Sequence, residues 1–165
     1  MKRKRQGFTL VETLAAVLIL SLLTGVIAMG VSAGARIYRE SIFVSESGML
    51  SATLDTALGD ILHYADCKAV SGGGAVSFEN RNYGIDSGNF LLSGDGKILI
   101  SPYGGAPEDE WLILVSSGAY ASLRIDSFTL DYGDGVFFGG YTVSDAGGTR
   151  EKTYTFAFRT LMEGA

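Results

Sequence analysis

A long apolar segment near the N-terminus constrains the fold of this chain more than any other feature. From Phe8 to Ala35 the sequence runs for 28 residues with one charged side chain, that of Glu12. Before it lies a short leader, residues 1–7, which contains four basic residues and ends in Gly7. A helix of that length extends about 42 Å, enough to cross a hydrocarbon core of about 30 Å. The sequence therefore predicts a membrane-spanning helix, with the basic leader in the cytoplasm and the following residues outside.

Glu12 occupies a position where a charged side chain is unfavourable. A carboxylate in an apolar helix costs about 2.5–3.5 kcal/mol on insertion scales, so its presence indicates a function or a partner. Gly7 directly precedes Phe8, and Glu12 is the fifth residue counted from that phenylalanine. The segment from Gly7 to Leu23, GFTLVETLAAVLILSLL, resembles the N-terminal processing signal of type IV pilins and pseudopilins.

This resemblance implies a processing and assembly pathway. A prepilin peptidase would cut after Gly7 and methylate the amine of Phe8. The carboxylate of Glu12 would then attract the N-terminal amine of a neighbouring subunit. The resemblance also implies partners: sibling pilin or pseudopilin subunits, the inner-membrane assembly platform and membrane lipid. The chain would be held in the bacterial cell membrane by a single pass, and then be extruded into a pilus or pseudopilus.

Two other interpretations of the N-terminus remain open. The small-x-small sequence Ala33-Gly34-Ala35 has the form of a signal-peptidase site, although the apolar run is about twice the usual 7–15 residues. Alternatively, the segment is a plain anchor, and the chain is a single-pass extracellular binding module that enters no filament. The N-terminus of the mature protein would distinguish these possibilities: Phe8, intact Met1, or a start after Ala35.

Three glycines interrupt the apolar helix. No proline occurs before Pro102, so Gly25, Gly30 and Gly34 are the residues that weaken it most. Gly30 and Gly34 also fit the small-xxx-small pattern of packed membrane helices. We expect close helix packing or local melting there, rather than a specific dimer face.

Helical periodicity continues beyond the membrane segment, and residues 36–68 are predicted to extend the helix. Apolar residues recur at steps of three and four, which predicts one buried stripe. The stripe comprises Leu50, Leu54, Ala57, Leu58, Ile61 and Ala65. The polar residues Glu46, Ser47, Ser51, Asp55 and Asp60 are predicted to lie on the opposite side. The sequence thus predicts an amphipathic second half that carries a globular head.

Residues 69–165 contain short β-segments separated by turns, which predicts a β-rich head. The predicted strands are Val76–Glu79, Asn89–Leu92, Lys97–Ser101, Trp111–Val115, Ser127–Tyr132, Val136–Val143 and Thr153–Leu161. Asp95-Gly96 and Asp134-Gly135 predict hairpin turns, and the alternation of Tyr154, Phe156 and Phe158 predicts that they share one face. The predicted fold is α+β, with a long N-terminal helix packed on a C-terminal antiparallel sheet.

Composition and motifs favour an assembly subunit over an enzyme. Without the leader, 9 basic residues face 18 acidic ones, which argues against nucleic-acid binding. The sequence Gly30-Val31-Ser32-Ala33-Gly34 fits a nucleophile motif but lies in the apolar helix, far from the single histidine, His63. Asp131, Asp134 and Asp145 suggest calcium, but their spacing does not match the calcium-binding loop motif, and a hairpin turn already explains Asp-Gly. We therefore expect no cofactor and no metal.

The single cysteine also bears on the class of subunit. Cys67 has no second cysteine to pair with, so no internal disulfide can form. The long helix, the many short strands and the absence of a disulfide are more typical of a minor pilin or minor pseudopilin than of a major adhesive pilin.

Overall fold

The computed structural model describes residues 9–71 and 75–161 and has the α+β architecture that the sequence predicts. One helix, α1, extends from Leu10 to Leu62 without a break. The chain divides into two compact units, of which the first ends at Ile42 and the second begins at Phe43.

The first unit is helical over its described residues from Leu10 onward, and its apolar side chains are exposed. The most apolar 18-residue window of α1 has a mean hydropathy of 2.5, and none of it is buried. By length and composition α1 can cross a membrane, as predicted. Within the described residues, no other element covers the apolar side chains of this part of α1.

Over its described residues, the second unit combines the end of α1 with nine strands in three antiparallel sheets. The strands are β1 (Asp66–Ser71), β2 (Ala75–Asn80), β3 (Ile85–Gly88), β4 (Phe90–Leu92), β5 (Ile98–Ile100), β6 (Leu112–Ile113), β7 (Leu123–Gly133), β8 (Val136–Asp145) and β9 (Glu151–Arg159). Each sheet contains three consecutive strands in chain order. A 3₁₀ turn, Glu108–Glu110, precedes β6, and a short helix, α2 (Ser117–Tyr120), precedes β7.

The core of the second unit lies between α1 and the strands. Leucines spaced by four residues along α1 are almost wholly buried: Leu50, Leu54, Leu58 and Leu62. The strands contribute fully buried residues that include Phe78, Ile98, Phe137 and Val143. The apolar stripe predicted from the periodicity is confirmed, and it is the surface by which α1 joins the head.

The polar side of α1 differs from its prediction. Ser47 and Ser51 are buried, and Asp55 is half-buried, although all three were expected to face away from the core. Tyrosine hydroxyls account for the difference, since the buried Tyr141 and the half-buried Tyr154 donate hydrogen bonds to this row. A buried hydroxyl needs a partner, so the polar row on the helix is part of the core.

Two strands near the start of the head, β1 and β3, were also not predicted, whereas β2 matches the predicted strand Val76–Glu79. α1 ends at Leu62 rather than at residue 68, and β1 begins at Asp66. The pairing of β1 with β2 explains this early end, because backbone hydrogen bonds to a neighbouring strand replace those of a helix. β3 is a short strand whose sequence, IDSG, has no clear alternation.

The remaining strand predictions are confirmed within a few residues. The two predicted hairpins close where Asp-Gly pairs occur, between β4 and β5 and between β7 and β8. In the second turn both Asp134 and Gly135 have positive φ, at 53° and 76°. Two successive positive φ angles define a type I′ turn, which matches the twist of the strands that it joins.

Candidate assembly and processing site

The N-terminus of α1 is closed by two side chains that cap each other. The backbone amide of Thr9 donates to Oε2 of Glu12 at 2.8 Å, and the Thr9 hydroxyl donates to the same oxygen at 3.0 Å. In return, the amide of Glu12 donates to Oγ1 of Thr9 at 3.3 Å. This reciprocal arrangement is a capping box, which satisfies amides that a helix N-terminus leaves without partners.

The capping box gives Glu12 a role within its own chain that the sequence interpretation missed. The signal was present, since Thr9 and Glu12 have the Thr-x-x-Glu spacing of the motif. Both bonds from Thr9 reach Oε2, so Oε1 takes no part in the box. Glu12 also lies in the first helical turn, where the helix dipole favours a negative charge.

The predicted processing residues Gly7 and Phe8 lie outside the described residues. The described residues begin at Thr9, and the predicted scissile bond joins Gly7 to Phe8. The structure therefore places Glu12 at the start of the helix but gives no geometry for the bond itself.

The three glycines predicted to support helix packing have no neighbours among the described residues beyond their own helix. A Cβ atom added at Gly25, Gly30 or Gly34 would meet nothing within 4 Å, apart from the helix's own nearby backbone. Packing within the chain therefore does not require glycine at these positions. Their role in contacts between helices remains a prediction.

Hydroxyl groups in the same part of α1 are satisfied locally. Ser21, Thr24 and Ser32 each donate to a backbone carbonyl three or four residues earlier, at 2.8–2.9 Å. In a bilayer there is no water to bond such groups, so local bonding lets a helix carry them across the apolar layer.

Comparison with known protein families matches residues 2–28 to the prokaryotic N-terminal methylation motif. The chain carries a type IV pilin-like prepilin signal. Comparisons with curated proteins and with solved structures find no match.

The prepilin signal has direct consequences. A prokaryotic N-terminal methylation motif implies processing by a prepilin peptidase and assembly with other pilin subunits. Together with the single apolar helix near the N-terminus, it fits a membrane-anchored, single-pass protein. The family described by this motif is structural rather than enzymatic.

The residues considered for catalysis have structural partners. Ser32, the centre of the apparent nucleophile motif, donates its hydroxyl to Met29 within α1. His63 follows the end of α1, where its Nδ1 lies 2.8 Å from the carbonyl oxygen of Arg159. Its ring packs edge-on against Phe158. Because the carbonyl can only accept, Nδ1 of His63 must carry the proton and tie the helix end to β9.

Cys67 lies in β1 and is partly buried against the core. Burial raises the pKa of its thiol. A raised pKa disfavours the thiolate, which is the reactive form, so this position suits a packing residue better than a nucleophile.

The aspartates considered for calcium do not form a common site. Asp145 binds the turn between β8 and β9: its Oδ1 accepts the amide of Thr149 at 2.7 Å, and its Oδ2 is 3.1 Å from Nη1 of Arg150. Bonds to Thr149 and Arg150 lower the pKa of this carboxyl group. In the described ranges, no three His, Cys, Asp or Glu side chains come together as a metal site would require.

Proposed function

We propose that this chain is a structural subunit of a type IV pilus-like or pseudopilus filament, assembled through its N-terminal helix. The observation that supports the proposal best is the methylation motif at residues 2–28, which overlaps the start of the membrane-capable helix α1. The motif supplies the processing signal, and the helix supplies the apolar surface that both a bilayer and a filament core require.

The exposed apolar surface of the first unit is compatible with two environments in succession, lipid and then a filament core. An apolar helix with no cover from its own chain is stable only in lipid or against other apolar helices. A bilayer provides such cover before assembly, and the helices of sibling subunits provide it afterwards. Gly25, Gly30 and Gly34 would allow those helices to approach closely.

The geometry of Glu12 supports a contact between subunits. Cleavage after Gly7 would leave a charged amine on Phe8, which is unfavourable in an apolar environment unless it is paired. In our proposal the amine of one subunit binds Oε1 of Glu12 in its neighbour, while Oε2 keeps its bonds to Thr9. One carboxylate would then cap its own helix and fix the register between two chains.

Each region of the chain has its own role in such a subunit. Residues 1–7 form the cytoplasmic leader, and residues 8–35 span the membrane and later form the filament core. From residue 36, α1 leads into the head outside the membrane, and the strands after α1 complete the head. The prepilin peptidase, the sibling subunits and the inner-membrane assembly platform are its partners. We assign it to the minor subunits because its head has no disulfide.

The N-terminus of the mature protein tests the proposal. We expect a methylated Phe8, identified by mass spectrometry of the N-terminal peptide from cells with an active prepilin peptidase. We also expect Gly7→Val to leave an uncut precursor, since the residue before the scissile bond must be small. An intact Met1 in the wild-type chain would instead support an anchored binding module, and a start after Ala35 would indicate an exported soluble domain.

A further inference from the structure

One edge of the head exposes an apolar strand. β6 pairs with β5 on one side and is an edge strand of its sheet. Its residues are aliphatic, and Leu112 and Ile113 are 61% and 44% exposed. Natural proteins usually protect such edges with charged residues, proline or a covering element. Neither residue of β6 has these features, so the edge is suited to pairing with another strand.

Backbone geometry indicates that Ile113 offers its hydrogen-bonding groups at this edge. The amide of Leu114 donates to the carbonyl of Ile98 in β5 at 2.9 Å. In an antiparallel strand, successive residues direct their backbone groups to opposite sides. The amide and carbonyl of Ile113 therefore point away from β5, toward the open side.

An open groove lies beside the same segment. Its volume is about 550 Å³, and Val115, two residues beyond β6, lines it. The helix side of the groove includes Met49, Ala52 and Thr56, with Asp60 at the same surface. A strand added near β6 would thus find an apolar groove close by for alternate side chains, as strand addition requires.

Acidic residues next to the open edge of β6 indicate which kind of segment binds there. Glu108, Asp109 and Glu110 are all exposed and directly precede the segment that contains β6. Glu110 accepts the hydroxyl of Tyr103, and neither Glu108 nor Asp109 forms an ion pair within the described part of the chain. Because Asp60 lines the groove, acidic residues lie both in the groove and next to β6. This surface would attract a basic segment and repel an acidic one.

We propose that β6 and the adjoining groove bind an extended segment of a different protein, in which aliphatic residues are flanked by lysine or arginine. The segment adds a strand at Ile113, and its basic flank pairs with Glu108 and Asp109. A second copy of this chain is a poorer occupant, because without its leader the chain is strongly acidic. The surface belongs to the second unit alone, so binding of this segment does not require filament assembly.

Peptide binding to the full-length protein in detergent micelles tests this proposal. The probe is a fluorescent peptide of two lysines followed by six residues that alternate valine and threonine. Its counterpart has two glutamates in place of the lysines. We expect fluorescence anisotropy to show saturable binding of the lysine peptide and at least tenfold weaker binding of the glutamate peptide.

Substitutions at the edge separate strand addition from general charge attraction. Ile113→Pro removes the outward amide without changing the charge, and an edge strand tolerates proline where its amide faces away from the sheet. We expect at least a tenfold loss of affinity. Leu91→Ala is the matched control, since Leu91 is 41% exposed on the far strand of the same sheet. If Ile113→Pro lowers the melting temperature, the neutral Ile113→Gly is used instead, since glycine weakens strand pairing without a change in charge, and a loss of affinity is again expected.

A second pair of variants tests the basic flank. Glu108→Gln with Asp109→Asn should remove most of the preference for the lysine peptide. Asp131→Asn with Asp134→Asn makes the same change in charge elsewhere on the head and should preserve that preference. Three results would overturn the proposal. The first is no saturable binding of the lysine peptide at 1 mM, and the second is unchanged affinity for this peptide when Ile113 is substituted. The third is self-association of the chain through this edge in place of peptide binding.

Discussion

Thr9 and Glu12 hold each other at the start of α1, with the Thr9 amide 2.8 Å from Oε2 and the Glu12 amide 3.3 Å from the threonine hydroxyl. The acid therefore stabilises its own helix before any neighbour is present. This intramolecular role and the proposed contact with a neighbouring amine can be separated by mutation, because one requires a hydrogen-bond acceptor and the other a charge.

Glu12→Gln and Glu12→Val should differ in their effect on the helix but not in their effect on assembly. Glutamine can replace glutamate in a capping box, whereas valine cannot. Both variants should insert at least as well as wild type, since a charge costing about 2.5–3.5 kcal/mol is removed. We expect both to reduce crosslinking to sibling subunits severely, and only Glu12→Val to fray the first turn, as measured by amide hydrogen exchange.

The comparison with Thr9 completes this test. Thr9→Ala removes the hydroxyl but leaves the charge of Glu12, so assembly should continue. If Glu12→Gln assembles normally while Thr9→Ala fails, the capping box rather than the charge is required, and the proposed contact between amine and carboxylate is wrong.

Local sequence signals sufficed for the apolar part of α1 and for the two Asp-Gly hairpins. The apolar run from Phe8 to Ala35 predicts a helix from local hydropathy alone, and Asp134-Gly135 can form a type I′ turn without help from distant residues. Ser47 and Ser51 illustrate why other features were missed. Taken alone, a serine on an amphipathic helix is expected to face water. Its burial is decided by tyrosines about 90 to 107 residues later in the chain, which no local pattern reveals.

Tyr141→Phe should destabilise the second unit. The hydroxyl of Tyr141 is buried, 2.9 Å from Oγ of Ser51 and 2.9 Å from Oδ1 of Asp55. Its loss removes these bonds and leaves partners on the helix without a donor, at a cost of about 1–2 kcal/mol. Urea denaturation of the full-length protein in detergent would measure this change.

Tyr154→Phe is the matched control for that substitution. The Tyr154 hydroxyl lies 3.0 Å from Oγ of Ser47 and is less buried than that of Tyr141. We expect a smaller loss, about 0.5–1 kcal/mol. A cost at Tyr141 no greater than that at Tyr154 would show that the contact with Asp55 contributes little to stability.

Two glycines of α1 should respond in different ways to alanine. A Cβ atom at Gly48 would meet nothing within 4 Å, so Gly48→Ala should stabilise the helix by about 0.5–1 kcal/mol. At Gly59 the same atom would lie 3.2 Å from Cε1 of Phe158. Phe158 must shift to admit it, so Gly59→Ala should gain less than Gly48→Ala in the same denaturation assay.

A larger side chain at Gly59 sharpens the comparison. Gly59→Leu forces atoms into the space that Phe158 occupies, and overpacking typically costs about 1–3 kcal/mol. Gly48→Leu has open space and should be tolerated. Equal stability of the two leucine variants would show that Phe158 can leave the surface of α1 without a loss of folding stability.

The stability of the head should fall in acid because of one carboxylate on β2. Glu79 binds Lys68 in the paired strand β1, and its Oε1 lies 2.8 Å from Nε of Arg81. Bonds to Lys68 first, and then to Arg81, lower the pKa of Glu79 from 4.5 to about 2. A pKa lower in the folded than in the unfolded chain stabilises the fold above pH 4.5, and this contribution is lost as the pH falls toward 2.

Glu79→Gln should remove this part of the pH dependence. Denaturation midpoints measured from pH 6 to pH 2 should fall less steeply for the variant than for wild type below about pH 4.5. Salt at about 1 M should reduce the difference, since Lys68 and Arg81 are exposed enough for their charges to be screened. Asp131→Asn, which removes an exposed acid from β7, serves as the control. If both substitutions change the slope equally, the general charge of the head, rather than the Lys68–Glu79–Arg81 cluster, governs its acid stability.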